Sequence, residues 1–289
     1  SHVFADGLHS PFGMALIGED LYIANADAVL RFTYTPGLTS LTTAPEVIAR
    51  LPSGKNHHWT KNILPGPDKR SLFVTVGSNS KVGECGPEVE EGRAAIHRLD
   101  LETGQLELFA HGLRNPVGMA LETSTGTLWT VVNERDELGS DLVPDYATSV
   151  REGDFFGWPY TYYGAHPQPK LDPRWPDDHP LARSPDYAVG SHTASLDSEF
   201  SYDSALPDKW RSGLFVSQHG SWNRQPRSGY RVIYIPFTNG VPNGMPEEIV
   251  GGFLDAGGNA RGRPAGLAID SAGALLIADD VGNVVWRVK

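Results

Sequence analysis

The sequence predicts an all-β fold, a six-bladed β-propeller of which about five blades are present. Three observations carry that expectation: a repeated phrase, a regular series of short strands, and a composition rich in turn formers. Residues 7–16 read GLHSPFGMAL and residues 112–121 read GLRNPVGMAL, and a looser third copy, GRPAGLAIDSAGALLIADD, spans 262–280. The stretch from Asn62, NILPGPDKRSLFVTVGS, and the stretch GLFVSQHGSWNRQPRSGYRVIYIPF repeat the same grammar of apolar run, turn and apolar run. Self-similarity in a fixed order of features marks a repeat architecture, and strand-rich repeats with Gly-Pro turns fit propeller blades.

The strands follow in order. Apolar runs at 21–24, 72–76, 128–132, 214–217, 231–235 and 275–278 are each bounded by Gly, Pro, Asp or Asn, the residues that end strands. The chain has 289 residues, 39% hydrophobic and 20% charged, with 32 Gly and 22 Pro, a balance that suits many short strands and disfavours a helical bundle. One all-β domain over 1–289 accommodates that length. Counting about five units against six predicts that an N-terminal blade is lacking, which leaves unpaired sheet edges that invite pairing or exchange with another copy.

Charge and cysteine content exclude several function classes. A formal net charge of −11 argues against nucleic acid and anionic membrane surfaces as partners. No apolar run is long enough to span a bilayer. The single cysteine, Cys85, rules out an internal disulfide framework, and no Cys/His spacing resembles a zinc site.

In a propeller, chemistry belongs to the loops at one end of the central channel. GKNHHWTKN places His57 and His58 at the entry to a strand, where alternation turns only one of them towards a site. Arg114 and Asn115 stand where the first copy of the repeated phrase has His9 and Ser10, and arginine offers a rigid five-donor fork for carboxylates. SQHGSWNRQ brings His219, Trp222, Asn223 and Arg224, SHTASL brings His192 and Thr193, and NARGRPAG brings Arg261 and Arg263. Singly, each reads equally well as structural; together they describe a His- and Arg-rich centre in an acidic protein, suited to a planar polyanion. The stretch 133–146, NERDELGSDLVPDY, carries five acidic residues and reads either as a calcium loop or as a solvated acidic loop. The aromatic stretch REGDFFGWPYTYYG, 151–164, reads as a sugar-stacking wall or as packing beneath the blades.

HHWTKNILPGPDKRSLFVTVGS, GLRNPVGMA, VREGDFFGWP and QHGSWNR, in this order, resemble the glucose/sorbosone dehydrogenase family. These are soluble six-bladed propellers that use pyrroloquinoline quinone (PQQ), and the likeness is greatest to the sorbosone-dehydrogenase-like and fungal pyranose-dehydrogenase branches. The resemblance implies oxidation of the anomeric carbon of an aldose or related sugar, such as sorbosone, by hydride transfer to the quinone. It implies His58 as the general base, with His57 as the fallback, and the Arg114–Asn115 pair as quinone contacts. Backbone carbonyls at Glu134 and Arg135 are implied as ligands of a Ca²⁺ beneath the quinone, although Glu134 stands where the family often has glycine. His219, Trp222, Asn223 and Arg224 are implied as cofactor contacts, with His192 and Arg263 as further ones. The same likeness implies a cytochrome or quinone as electron acceptor and a periplasmic or extracellular setting. Two rival readings are a calcium-dependent sugar lactonase on a similar propeller and a non-catalytic binding module.

Overall fold

The computed structural model describes residues 2–54 and 57–289. The chain forms a five-blade β-propeller arrangement. The first blade is Met14–Ile17, Asp20–Ala24, Ala28–Thr33 and Glu46–Arg50, and the second is Ile63–Pro65, Ser71–Val76, Ala95–Asp100 and Leu106–His111. Pro116–Glu122, Thr127–Val132, Pro144–Val150 and Tyr187–Ser191 make the third. The fourth comprises Ser195–Phe200, Gly213–Gln218, Arg231–Thr238 and Glu247–Val250, with a short edge pair at Val241–Pro242. The fifth has three strands, Pro264–Ile269, Leu275–Asp279 and Val284–Val288. Strand pairing within every blade is antiparallel, and among the described residues the only helices are two short 3₁₀ turns, Pro87–Val89 and Asp208–Trp210.

The apolar runs that announce the fold in the sequence are mostly the second strands of the blades, sandwiched between two neighbouring sheets. Period-2 alternation then sends successive side chains into different cores. In Ser71–Val76 every residue is buried; Leu72 and Val74 join the core against the first blade, while Phe73 joins the core against the third. Likewise Leu128 and Val132 face the second blade and Trp129 and Val131 face the fourth. The fifth blade packs on the fourth through Leu267, Leu275 and Ile277.

The repeated phrase has a steric cause. Its glycine lies where one innermost strand meets the innermost strand of the next blade: a Cβ on Gly13 would come within 2.5 Å of the Ile63 nitrogen, and one on Gly118 within 2.5 Å of the Asp197 Cα. No real Cβ tolerates such contacts, so the phrase is a docking surface between blades. The third copy has Gly266 in this place, where the nearest neighbour to an added Cβ is 3.6 Å away on its own sheet. The flank of the fifth blade and the first blade's innermost strand have no sheet between them among the described residues, and Met14, Leu16, Val285 and Trp286 are exposed there.

Candidate functional site

At one end of the blades a cavity of about 270 Å³ is walled by loops from several of them: His57, His58, Lys81, Arg114, Asn115, Asn133, Glu134, Asp136, Asp145, His192, Ala194, Ser221, Trp222 and Asn223. The stretches contributing these residues are far apart in sequence and meet because each follows or precedes a strand at the same end.

His58 is half-buried at the entry to the second blade. Its Nδ1 lies 2.8 Å from the Ser78 carbonyl oxygen and 3.0 Å from Ser78 Oγ, whose own hydrogen is donated to the Ser80 carbonyl at 2.7 Å. Both partners of Nδ1 accept, so Nδ1 carries the hydrogen and Nε2 is the free acceptor. Burial, then the Arg114 charge, holds the imidazole well below its ordinary protonation range. Gly77 makes this placement feasible, since a Cβ there would lie 2.6 Å from His58 Cβ and 2.3 Å from Asn115 Oδ1.

Arg114 is 2% exposed and every arm of its fork is engaged. Nε donates to the Lys81 carbonyl at 2.7 Å, Nη1 to the carbonyls of Asn133 at 3.2 Å and Glu134 at 2.6 Å, and Nη2 to Asp136 Oδ2 at 2.6 Å. Asp136 also accepts from Asn223 Nδ2 at 2.7 Å, and His192 Nδ1 stands 3.7 Å from it. His192 Nε2 faces the carbonyls of Gly139 and Leu142, both at 2.9 Å, so that nitrogen carries its hydrogen. Asp145 accepts from the Glu134 and Ala194 amides, each at 2.9 Å, and from Thr193 Oγ1 at 3.0 Å. Burial nevertheless pushes its carboxyl up to about 6.

The cavity is therefore not simply basic. Arg114 is neutralised by Asp136, while the wall's other basic side chain, Lys81, makes no ion pair among the described residues and holds its Nζ 5.6 Å over the ring of Trp222, itself 68% exposed. Two buried acceptors of the wall, Asn115 Oδ1 and Asn223 Oδ1, have no hydrogen-bond partner among the described residues and could accept from a ligand's hydroxyl or N–H. The exposed indole and the ammonium above it fit a flat, anionic ring system. The Glu134 carbonyl expected to face a calcium accepts from the Arg114 guanidinium at 2.6 Å, and among the described residues no group of three His, Cys, Asp or Glu is placed to hold a metal.

Of the residues expected from the sequence, the cavity brings together His58, Arg114, Asn115, Glu134, His192, Trp222 and Asn223. It does not include the others. Arg224 donates to the Ser140 and Pro226 carbonyls and pairs with Asp141 at 3.1 Å. Arg263 donates to the carbonyls of His219 and Gly220 and lies over the Tyr230 ring, while His219 Nε2 pairs with Asp280 at 3.0 Å. The Arg135 side chain turns to Gln168 and the Asp136 carbonyl. In each case strand alternation or a turn carries the side chain past the rim. Sequence reasoning missed Lys81, Asp136 and Asp145. Lys81 was findable, since it lies five residues past the end of the apolar strand Ser71–Val76, in the loop that also approaches His58; Asp136 gains its place only through partners at 114 and 223.

A family model described as TrAA12-like matches residues 6–152 and 160–289. The chain is similar to an uncharacterized protein of Borreliella burgdorferi, 26% identical over 99% of this chain and 77% of that protein. It is also similar to the pyrroloquinoline quinone-dependent pyranose dehydrogenase of Coprinopsis cinerea, 24% identical over 76% of this chain and 35% of that protein, so it spans about a third of that relative's length. Among solved structures it matches the calcium structure of Trichoderma reesei carbohydrate-active enzymes family AA12, with a TM-score of 0.80 and 19% identity over 95% of this chain and 79% of the other. The likeness to solved structures bears on the fold, and the motif resemblance and the family match agree.

Proposed function

Because this chain belongs to the TrAA12-like family, we propose that it is a PQQ-dependent sugar dehydrogenase working at the cavity of His58 and Arg114. When bound, PQQ supplies an ortho-quinone able to accept a hydride. Lys81 would hold one of its carboxylates, Trp222 would cover its plane, and the Asn115 and Asn223 side-chain oxygens would accept from a hydroxyl or ring N–H of what binds there. His58 Nε2 takes the proton of the sugar's anomeric hydroxyl as hydride leaves the adjacent carbon. The pair Arg114–Asp136 keeps the cavity wall in place, and the loops of Ser78 and Asn133 shield the proton transfer from water. A cytochrome or a quinone would serve as the electron acceptor that such a reaction needs, in a periplasmic or extracellular setting.

The observation that carries this reading is the bond from His58 Nδ1 to the Ser78 carbonyl, which leaves Nε2 ready to accept a proton. His58→Ala is expected to lower turnover by about two to four orders of magnitude while PQQ still binds. Because burial lowers the His58 pKa, the acid limb of kcat/KM in the native protein falls below pH 6.5. The experiment is dye reduction with a panel of aldoses after PQQ is added, with and without Ca²⁺, followed by a lactone-hydrolysis assay. Dye reduction lost with His58 supports the reading, dye reduction unchanged in His58→Ala removes His58 from it, lactone hydrolysis instead supports a lactonase, and neither activity supports a binding module.

A further inference from the structure

A second cavity, of about 300 Å³, is lined in part by the C-terminal half of the loop 77–94. It absorbs the aromatic stretch of the sequence that the first cavity leaves unused. Trp158, Tyr160, Trp175 and His179 give it four rings. Tyr160 and His179 stack at 4.4 Å with an interplanar angle of 17°, and Trp175 stands nearly perpendicular to Tyr160, at 75°, and to Trp158, at 80°. The Trp175 indole N–H donates to the Gly83 carbonyl at 3.0 Å, which fixes that ring's plane. Trp158 is 4% exposed and its indole N–H has no partner. Two carboxylates, Glu91 and Asp178, are exposed at this cavity, and neither makes an ion pair among the described residues.

Rings meeting at right angles with free carboxylates at their rim are the chemistry that binds a sugar: the C–H face of a pyranose packs on an aromatic plane and its hydroxyls donate to carboxylates. The two cavities share no lining residue but draw on neighbouring stretches of the same two loops. Lys81 faces the first and Pro87 and Glu91 the second on one loop, and His111 and Gly112 line the second only two residues before Arg114 lines the first. Two peptide steps span at most about 7 Å. The root of the shared loop is rigid, because the Glu90 carboxylate accepts from the Asn79 and Ser80 amides at 2.8 and 2.7 Å.

The geometry points to a secondary carbohydrate-binding subsite at Trp175, Tyr160 and His179, which takes a further unit of an oligosaccharide whose end reaches the first cavity. The proposal rests on the sugar-oxidising reading for its choice of ligand, so its test is made without redox chemistry. Quenching of tryptophan emission by cellotetraose and by glucose is titrated on the protein free of PQQ, for the native chain and for Trp175→Ala, His179→Ala and the milder Asp178→Asn. The expected result is that cellotetraose binds the native protein about tenfold tighter than glucose, and that Trp175→Ala and His179→Ala each remove that advantage while the far-UV spectrum and Tm stay native. Equal affinity of the two sugars, or an advantage untouched by all three substitutions, overturns it. Should Trp175→Ala unfold, His179→Ala and Asp178→Asn decide the matter, since neither removes the bond to Gly83. Cellotetraose binding dependent on these residues in a protein that reduces no dye leaves the subsite standing and removes the dehydrogenase reading; turnover of glucose with no such binding does the reverse.

Discussion

Two buried polar regions of the ring meet opposite fates. At the mouth cavity, Asp145 is buried and Asp136 half-buried, yet both are answered: Asp136 by Arg114 and Asn223, Asp145 by three donors. In the channel between the innermost strands, Asp197 has only the amides of Leu267 and Ser198, and Glu199 is repelled by Asp197 and Asp203 with no hydrogen bond to oppose its burial. Burial pushes both of these carboxyls up to about 7. Charge at the mouth is thus paired within the fold, whereas charge in the channel costs stability at neutral pH.

The sharpest way to break the contrast is at Arg114. Arg114→Met leaves Asp136 buried without its cation and the Glu134 and Lys81 carbonyls without a donor, and is expected to cost about 3–5 kcal/mol in denaturant unfolding and to weaken PQQ binding. Arg114→Met combined with Asp136→Asn should recover part of the stability, and no recovery would show that the pair is not what holds the loops. Gly77→Ala is next, at about 1–3 kcal/mol, because its Cβ meets His58 and Asn115 at 2.6 and 2.3 Å; it should also lower turnover more than it lowers Tm.

In the channel the sign reverses. The Glu199 carboxyl binds its proton more tightly folded, near 7, than at its ordinary 4.5. The folded chain holds a proton the unfolded chain has released, so stability falls as pH rises through that window. Glu199→Gln is therefore expected to raise stability by about 1–3 kcal/mol at pH 8 and by little at pH 4, read as Tm against pH; a uniform gain would place the cause elsewhere. The smallest effect belongs to Arg224→Ala, whose ion-pair partner Asp141 is 89% exposed. Its loss should change stability by about 0.5 kcal/mol or less and PQQ affinity hardly at all, and a large loss of affinity would return Arg224 to the cofactor site.

Much of the fold was legible because its determinants are local. The strands announced at 72–76 and 128–132 are fully sandwiched, so their apolar character survives in the sequence without alternation. The repeated glycine was visible as a pattern, but its cause, the approach of Ile63 and Asp197, is a contact between blades. For the site, His58 and Arg114 stood out because they interrupt or precede a strand. The HGSWNR stretch divided: Trp222 and Asn223 reach the cavity, while His219 and Arg224 turn to Asp280 and Asp141, a split that depends on a turn at Gly220 with φ of 101° that no residue count reveals. Asp136 was one of five acidic residues in a loop, distinguished only by partners from elsewhere in the chain.

The fork of Arg114 joins a loop of the second blade, through the Lys81 carbonyl, to a loop of the third, through Asn133, Glu134 and Asp136. One guanidinium thereby works as a hinge pin between neighbouring sheets. Any drift in the angle between those two sheets is transmitted to His58 and Asn115 on either side of it, so the geometry of the cavity is inherited from how stiffly the blades hold their places.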